Sequence, residues 1–450
     1  MRGDMQRRVL LLILMAGIST SGIAADDDKV NENELFSSPD TVLDDKNYNK
    51  KDVDADQNKK KLGVSGEITS VNSYMATRDY LKNGNHANNQ FNPYIDGVLY
   101  GDIRLPSNVK GFGNFEFKYN AVDKTSEYFM RELFIDFNIA NAVYFRTGKQ
   151  VLQWGRCYLW NPTDLLNVEK KTFEQKIGSR EGTYGLKAHI PFGTRANMYG
   201  FVDTSNAQDI DMVAGAYKLE FLFGKTEMAL SVWGKKESHP VYGYDFSSRL
   251  GLIDIVGEAS ASYGSNMDRV VERWGVLTTE REKNRWIPKA SVDFGHAFDV
   301  GDQKDKVQVN LEFYYNGEGY RKSFLEDETM YPYDRPVTLE SNGKSVNMPG
   351  GIKAYYLLGR NLYEPNYHSR YYAALFGTIN KFIRSELSLT LNLISNIEQM
   401  SFILMTGINY ADINDFKAGL VVYSFLGKNN TEYTFHKNAA NVMLTAGIIF

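Results

Sequence analysis

The sequence predicts an all-β chain that closes into a transmembrane antiparallel β-barrel of about 18 strands, with about 16 as the alternative count. Three observations predict it. Apolar and polar residues alternate with period two in segments of about ten residues, twice the usual strand length of soluble proteins. The connections alternate between short and long. The longest apolar run, Val9 to Ile18, has only ten residues, short of the roughly 20 that a spanning helix needs.

Composition narrows the function classes. The chain has 51 basic and 55 acidic side chains, too balanced a field for a nucleic-acid binder. Its single cysteine, Cys157, makes no internal disulfide, and without a CxxC or Cys/His cluster there is no structural zinc site. No Gly-rich phosphate loop implies a nucleotide, so no cofactor is expected. The 29 Tyr and 26 Phe beside 38 Gly and only 11 Pro favour strands over helices.

Residues 1–25 read as a secretory signal peptide: Arg2, Arg7 and Arg8 precede the apolar run, and Ser19 to Ala25 supplies small residues for cleavage. Residues 26–61 hold almost no large apolar side chain. Such a segment cannot bury enough surface to offset its ordering entropy, so it reads as a disordered periplasmic extension, with a pore plug as the alternative.

The barrel is assigned to 62–450. Its clearest segment is Ser385-Glu386-Leu387-Ser388-Leu389-Thr390-Leu391-Asn392-Leu393, with one apolar face and one wet face. Helical spacing would put Glu116 or Glu312 among apolar neighbours, so strands win there. The strand expectations are 62–74, 95–105, 112–121, 128–138, 142–152, 182–190, 194–203, 212–222 and 226–235. They continue with 244–251, 254–263, 287–298, 306–316, 369–380, 386–395, 400–410, 415–425 and 441–450. Tight turns are expected at 223–225, 382–384 and 412–414, and long loops at 75–94, 155–180, 264–285 and 317–367. One long strand through Leu252-Ile253 would break the even count. Two strands there keep 264–285 on the side of the other long loops.

Period two also sorts the faces. Phe115, Phe117, Tyr119, Leu387, Leu389, Leu391, Leu393, Leu444, Ala446 and Ile448 are expected to face outer-membrane lipid. Glu116, Lys118, Asn120, Glu132, Asp136, Arg146, Lys187, Arg195, Lys218, Glu220, Lys235, Glu258, Asp293, Asn310, Glu312 and Glu386 are expected to face the lumen. A barrel of this size encloses water, so these charges are expected to be hydrated wall positions. Both signs are present, which leaves ion selectivity open.

The last strand, Val442 to Phe450, resembles the C-terminal signal by which outer-membrane barrels engage their insertion machinery. A second resemblance lies in Phe145-Arg146-Thr147-Gly148-Lys149-Gln150-Val151-Leu152-Gln153-Trp154-Gly155-Arg156, followed by Trp160-Asn161-Pro162-Thr163-Asp164-Leu165-Leu166-Asn167. This run resembles the R-x-G-K/R-Q-x-x-x-W-G strand and N-P-x-D-x-x-N loop of outer-membrane porins related to the alginate-export group. Gly243-Tyr244-Asp245-Phe246 and Gly257-Glu258-Ala259 are similar to that group as well. The resemblance implies a pore constricted by charged wall residues, with Arg146, Lys149 and Arg156 as matched positions. The mixed lumen charge departs from the basic path that a polyuronate needs. The alternative for Trp154, Trp160 and Pro162 is packing of the loop against the rim.

The functional expectation is an outer-membrane channel for passive passage of small polar solutes. The alternative is a surface adhesin working through loop 317–367, with its Glu326-Asp327-Glu328 and Tyr331-Pro332-Tyr333-Asp334. A hydrolase is not favoured. None of the six histidines lies in a catalytic neighbourhood, and Ser341-Asn342-Gly343 has Leu339 where the outer-membrane phospholipase motif has His.

Overall fold

A segment with two unlike faces must find a different medium for each, and a sheet of such segments escapes its unpaired edges by closing. The computed structural model does this. It describes residues 61–450 apart from 85–88, 106–107, 153, 167–179, 206, 274–275, 322–336, 342–343, 349–356, 358–359, 361, 412–414 and 436. The signal and spacer expectations, the turn at 412–414 and the acidic and Tyr-Pro motifs of the longest loop lie outside the described residues.

The strands are β1 (Lys61–Thr77), β2 (Gln90–Leu105), β3 (Val109–Asn120), β4 (Thr125–Ile139), β5 (Val143–Gln150), β6 (Thr183–Phe192), β7 (Ala196–Asp203) and β8 (Ala214–Phe223). β9 (Thr226–Lys235), β10 (Val241–Leu250) and β11 (Ile253–Tyr263) follow, then a small hairpin of β12 (Arg269–Arg273) and β13 (Val276–Glu280). After β14 (Trp286–Val300) and β15 (Gln303–Asn316) comes a second hairpin, β16 (Val337–Ser341) and β17 (Lys344–Met348). The chain finishes with β18 (Tyr371–Ile379), β19 (Leu387–Asn396), β20 (Ser401–Ala411), β21 (Phe416–Leu426) and β22 (Asn438–Ile449).

Leaving out the two hairpins, these strands form one 18-stranded sheet. Its strands pair antiparallel in chain order, and β22 pairs back onto β1 through Tyr74↔Val442 and Ile68↔Ile448. All eighteen expected strands are present. The two hairpins were not expected; they belong to the long loops after β11 and β15. Gly251 and Leu252 form the turn that keeps β10 and β11 apart, with Gly251 at φ +62°. Several strands start earlier than expected, β2 at Gln90 and β10 at Val241. Near the rims the alternation fades while the backbone pairing continues.

The faces divide as alternation requires. Leu230, Leu391, Leu420 and Leu444 are exposed on the outside. Their sequence neighbours Ala229, Asn392, Gly419 and Met443 turn inward. The buried clusters lie within the cylinder and combine wall residues with residues of the connection that follows β5.

Closure depends on a close approach at Gly66. Its N–H donates to the Phe450 carbonyl at 2.7 Å, and the Phe450 N–H donates to the Gly66 carbonyl at 2.9 Å. A Cβ on Gly66 would lie 2.6 Å from the Val98 carbonyl and 2.8 Å from the Phe450 ring. Gly66→Val is therefore expected to cost about 1–3 kcal/mol. The loss is read as a lower midpoint for the gel-mobility shift of the heated barrel; an unchanged midpoint contradicts the seam.

Candidate functional site

β5 ends at Gln150, and the chain then turns into the barrel interior. An irregular segment inside a barrel has peptide N–H groups that no neighbouring strand can accept, so the wall must supply acceptors. Two carboxylates do. Glu258 on β11 accepts from the Arg156 N–H, the Cys157 N–H at 2.6 Å and the Asn161 Nδ2 at 2.8 Å on one oxygen. Its other oxygen accepts from the Thr163 N–H at 3.2 Å and hydroxyl at 2.7 Å. Glu312 on β15 accepts from the Leu159 N–H at 2.7 Å, the Trp160 N–H at 2.8 Å and the Ser291 hydroxyl at 2.8 Å. On the opposite flank Glu132 on β4 accepts from the Val151 N–H at 2.8 Å. The Asn-Pro-Thr-Asp run makes the expected turn, with the Asp164 N–H 3.0 Å from the Asn161 carbonyl.

Side chains lock the same segment. The Arg156 guanidinium is shared by Asp245, Glu227 and Glu220, the last at 3.1 Å. Burial alone would lower its pKa, but the three carboxylates outweigh burial and hold the cation more firmly. Lys218 on β8 donates to the Trp154 carbonyl at 2.8 Å and pairs with Asp245 at 3.1 Å. Trp160, fully buried, stacks on Tyr314 with ring centroids 5.5 Å apart and donates from Nε1 to the Asn366 carbonyl at 2.9 Å. Burial, with Glu258 and Glu312 nearby, pushes the Cys157 thiol well up, so it is an inert neutral group.

The wall of β1–β6 and β21 carries a different pattern. Asp136 and Arg146 pair at 2.7 Å, with Arg146 also 3.9 Å above the Phe134 ring. Glu116 pairs with Arg131 at 2.8 Å, and Glu67 pairs with Lys417. Lys118 lies 4.6 Å over the Tyr94 ring, and Lys187 lies 5.8 Å over Tyr199. Apart from the Glu116–Arg131 pair, these groups are partly exposed and form a charged lane of both signs.

The expected lumen residues thus divide into two sets. Glu116, Lys118, Asp136, Arg146 and Lys187 line the lane. Glu132, Lys218, Glu258, Glu312 and the loop's own Arg156 hold the inward segment, and Lys218, Glu258 and Glu312 are buried where hydrated wall positions were expected. The chain itself takes the place of water there. Three placements differ outright. Lys149 pairs in register with Leu133 and Tyr184 on the outer face, its ammonium turned back to Glu181 at 2.6 Å. Period two assigns it outward, two residues after Thr147. Arg195 is exposed in the turn between β6 and β7, and Glu386 falls in the connection before β19. Trp160 packs inside the barrel and not against the rim.

Arg131 was missed because strict alternation turns it outward with Leu133. A β-bulge at Arg131 turns it inward to Glu116. The adjacent charges Arg131-Glu132 in an otherwise alternating strand were the available signal.

The segment is braced from the far wall as well. Glu432, in the connection after β21, accepts from Tyr372 at 2.8 Å, Asn396 at 2.7 Å and the Asn366 N–H at 2.9 Å. Asn366 in turn holds Trp160.

No protein-family model matches the chain, and no curated protein matches it. Among solved structures the chain is similar to a triple mutant of the Rhodopseudomonas blastica porin, at 10% identity over 87% of this chain and 100% of that one, with a TM-score of 0.41. It is similar to Pseudomonas aeruginosa OccK2 in complex with glucuronate, at 9% identity over 86% and 98% of the two chains, TM-score 0.49. Salmonella typhi OmpF in complex with daunomycin is similar at 10% identity over 86% and 97%, TM-score 0.43. The closed barrel described above rests on its own strand pairing.

Two predictions follow from the bracing. Replacing Glu258 by Leu strands five donors and is expected to cost the segment's attachment about 3 kcal/mol or more. Limited proteolysis then cuts within 151–166, whereas equal resistance of mutant and parent contradicts the role of Glu258. The second concerns pH. Burial pushes the Glu432 carboxyl up to about 7 from its ordinary 4.5, although its hydrogen bonds oppose the shift. The folded chain keeps a proton there that the unfolded chain has released, so this contribution to stability is lost as pH rises from about 4.5 through about 7. Amides 432–435 are expected to lose hydrogen-exchange protection across that window, and Glu432→Gln to remove the dependence. A protection that rises with pH contradicts the sign.

Proposed function

We propose that this chain is an outer-membrane channel for the passive passage of small polar solutes. The observation that carries the reading is the contrast of faces on one closed sheet: apolar side chains outside, and inside a partly exposed lane of charged groups beside an anchored inward segment. A greasy exterior requires lipid, and a charged interior requires water. The segment is held to the wall on the β8–β15 side, and the charged lane supplies the polar surface along which solutes would pass.

Export through a cleaved signal in 1–25 and delivery to the insertion machinery through the strand ending at Phe450 complete the reading, with 26–61 as a periplasmic spacer. Kinship with the alginate-export porin group is supported by where its motif residues sit: Arg156, Asp245 and Glu258 meet at the inward segment. The mixed charge of the lane argues for a cargo other than a polyuronate.

Purified protein in a planar lipid bilayer is expected to give discrete conductance steps. Arg146→Gln leaves Asp136 without its cation. A unit charge about 4 Å away is worth about 1 kcal/mol in water, so a roughly two- to fivefold rise in cation-over-anion permeability is expected from reversal potentials in unequal salt. No conductance from either the full chain or a chain lacking 26–61 contradicts the channel reading.

A further inference from the structure

Between the inward segment and the wall of β9, β10, β11, β14 and β15 lies a cavity of about 170 Å³. A second chamber of about 50 Å³ adjoins it and shares Met267, Lys289, Glu318, Glu364 and Tyr367 with it. At about 30 Å³ per water the two displace roughly six and roughly two waters, room for a small branched side chain and for a carboxylate.

The charged groups of the two linings cancel in pairs, with one of each sign left over. Asp164 is held by Arg180 at 3.0 Å, Glu318 by Lys289 at 2.6 Å and Asp268 by Arg281 at 2.6 Å. Burial pushes the His368 imidazole down to about 3, so it is neutral. Arg269, the first residue of β12, lines the smaller chamber, and Glu364 lines both. Neither makes an ion pair among the described residues. The contacts of Arg269 are with neutral groups: its Nη2 lies 3.5 Å from the Gly319 carbonyl, and its guanidinium sits 4.8 Å over the Tyr320 ring. Burial, with Arg285 and Arg370 nearby, lowers its pKa although Tyr320 and Glu318 oppose the shift. The cation is short of counter-charge.

Both leftover groups bound the smaller chamber, so the two charges that answer them must be close together on the ligand. A single charge of either sign would leave one of the two groups uncompensated. The larger cavity adds the apolar side chains of Pro162, Leu165, Trp233, Val241 and Ile287 to its wall, surface for an apolar substituent.

We propose that the two chambers bind an α-amino acid with a small apolar side chain: its carboxylate on the terminal nitrogens of Arg269, its ammonium at Glu364 and its side chain in the larger cavity. Such binding goes beyond conduction and is assayed without it.

The test is calorimetric titration of the full chain in detergent micelles with L-leucine and with its two one-charge analogues, isocaproate, which lacks the ammonium, and isoamylamine, which lacks the carboxylate. L-Leucine is expected to bind saturably and each analogue about tenfold or more weakly, since each leaves a charged group of the site unanswered. Arg269→Gln is expected to weaken L-leucine and isocaproate together by about tenfold. Glu364→Gln is expected to bring L-leucine close to isocaproate, because it removes the group that reads the ammonium. The analogue series needs no variant and decides even where a variant fails to fold. Absence of saturable heat with L-leucine, either analogue binding as tightly as L-leucine, parental binding by Arg269→Gln, or an unchanged gap between L-leucine and isocaproate in Glu364→Gln overturns the proposal. Failure of the channel reading is distinct from these outcomes, because it shows only as missing conductance.

Discussion

A peptide segment that leaves the sheet and enters the interior of a barrel carries a row of N–H groups away from every strand that might accept them, and the rest of the site follows from how those groups are satisfied. Glu258 and Glu312 supply the acceptors. Each is an acid on an inward position of a regular strand, each receives consecutive backbone amides, and each is buried by the chain it holds. A buried carboxylate is costly alone and favourable when several donors converge on it. The arrangement is therefore all-or-none: the segment needs the acids, and once it covers them the acids need the segment.

This divides one wall into two regimes. Where the inward segment lies, wall charges serve structure, and Arg156, Lys218, Asp245, Glu220 and Glu227 form one joined ionic group in which Lys218 and Asp245 are buried. Across the lumen, Arg146, Asp136, Lys118 and Lys187 stay partly exposed, their charges steadied by neighbouring carboxylates or aromatic rings. Exposed pairs of this kind add little stability. Their consequence is the field along the lane.

The barrel was legible in the sequence because its cause is local. A strand between two media shows its nature in every second residue, as Leu387, Leu389, Leu391 and Leu393 do, and Gly251 marks the turn that fixes an even count. The site was legible only in part. Alternation placed Glu258 and Glu312 inward, but nothing near either residue tells that loop amides about 95 and 150 positions away would meet it, since that pairing exists only after the sheet has closed. Arg131 was lost to a bulge, which shifts the phase by one residue. Lys149 was placed in the pore by motif resemblance against its own strand phase, and the register follows the phase. Packing of Trp160 against the rim stood as an alternative because composition does not say which way a loop turns.

The seam at Gly66 and the brace at Asn366 make the same point from the two ends of the fold. Phe450 seats its ring over Gly66, which has no Cβ, and Glu432 acts on the inward segment through the backbone of Asn366 and through Tyr372, whose ring packs on Trp160. The most direct test of the whole account is hydrogen exchange of the Cys157, Leu159 and Trp160 amides in the intact barrel. Wall carboxylates that hold these groups predict protection comparable to that of the neighbouring strands; exchange at the rate of an open loop would contradict it.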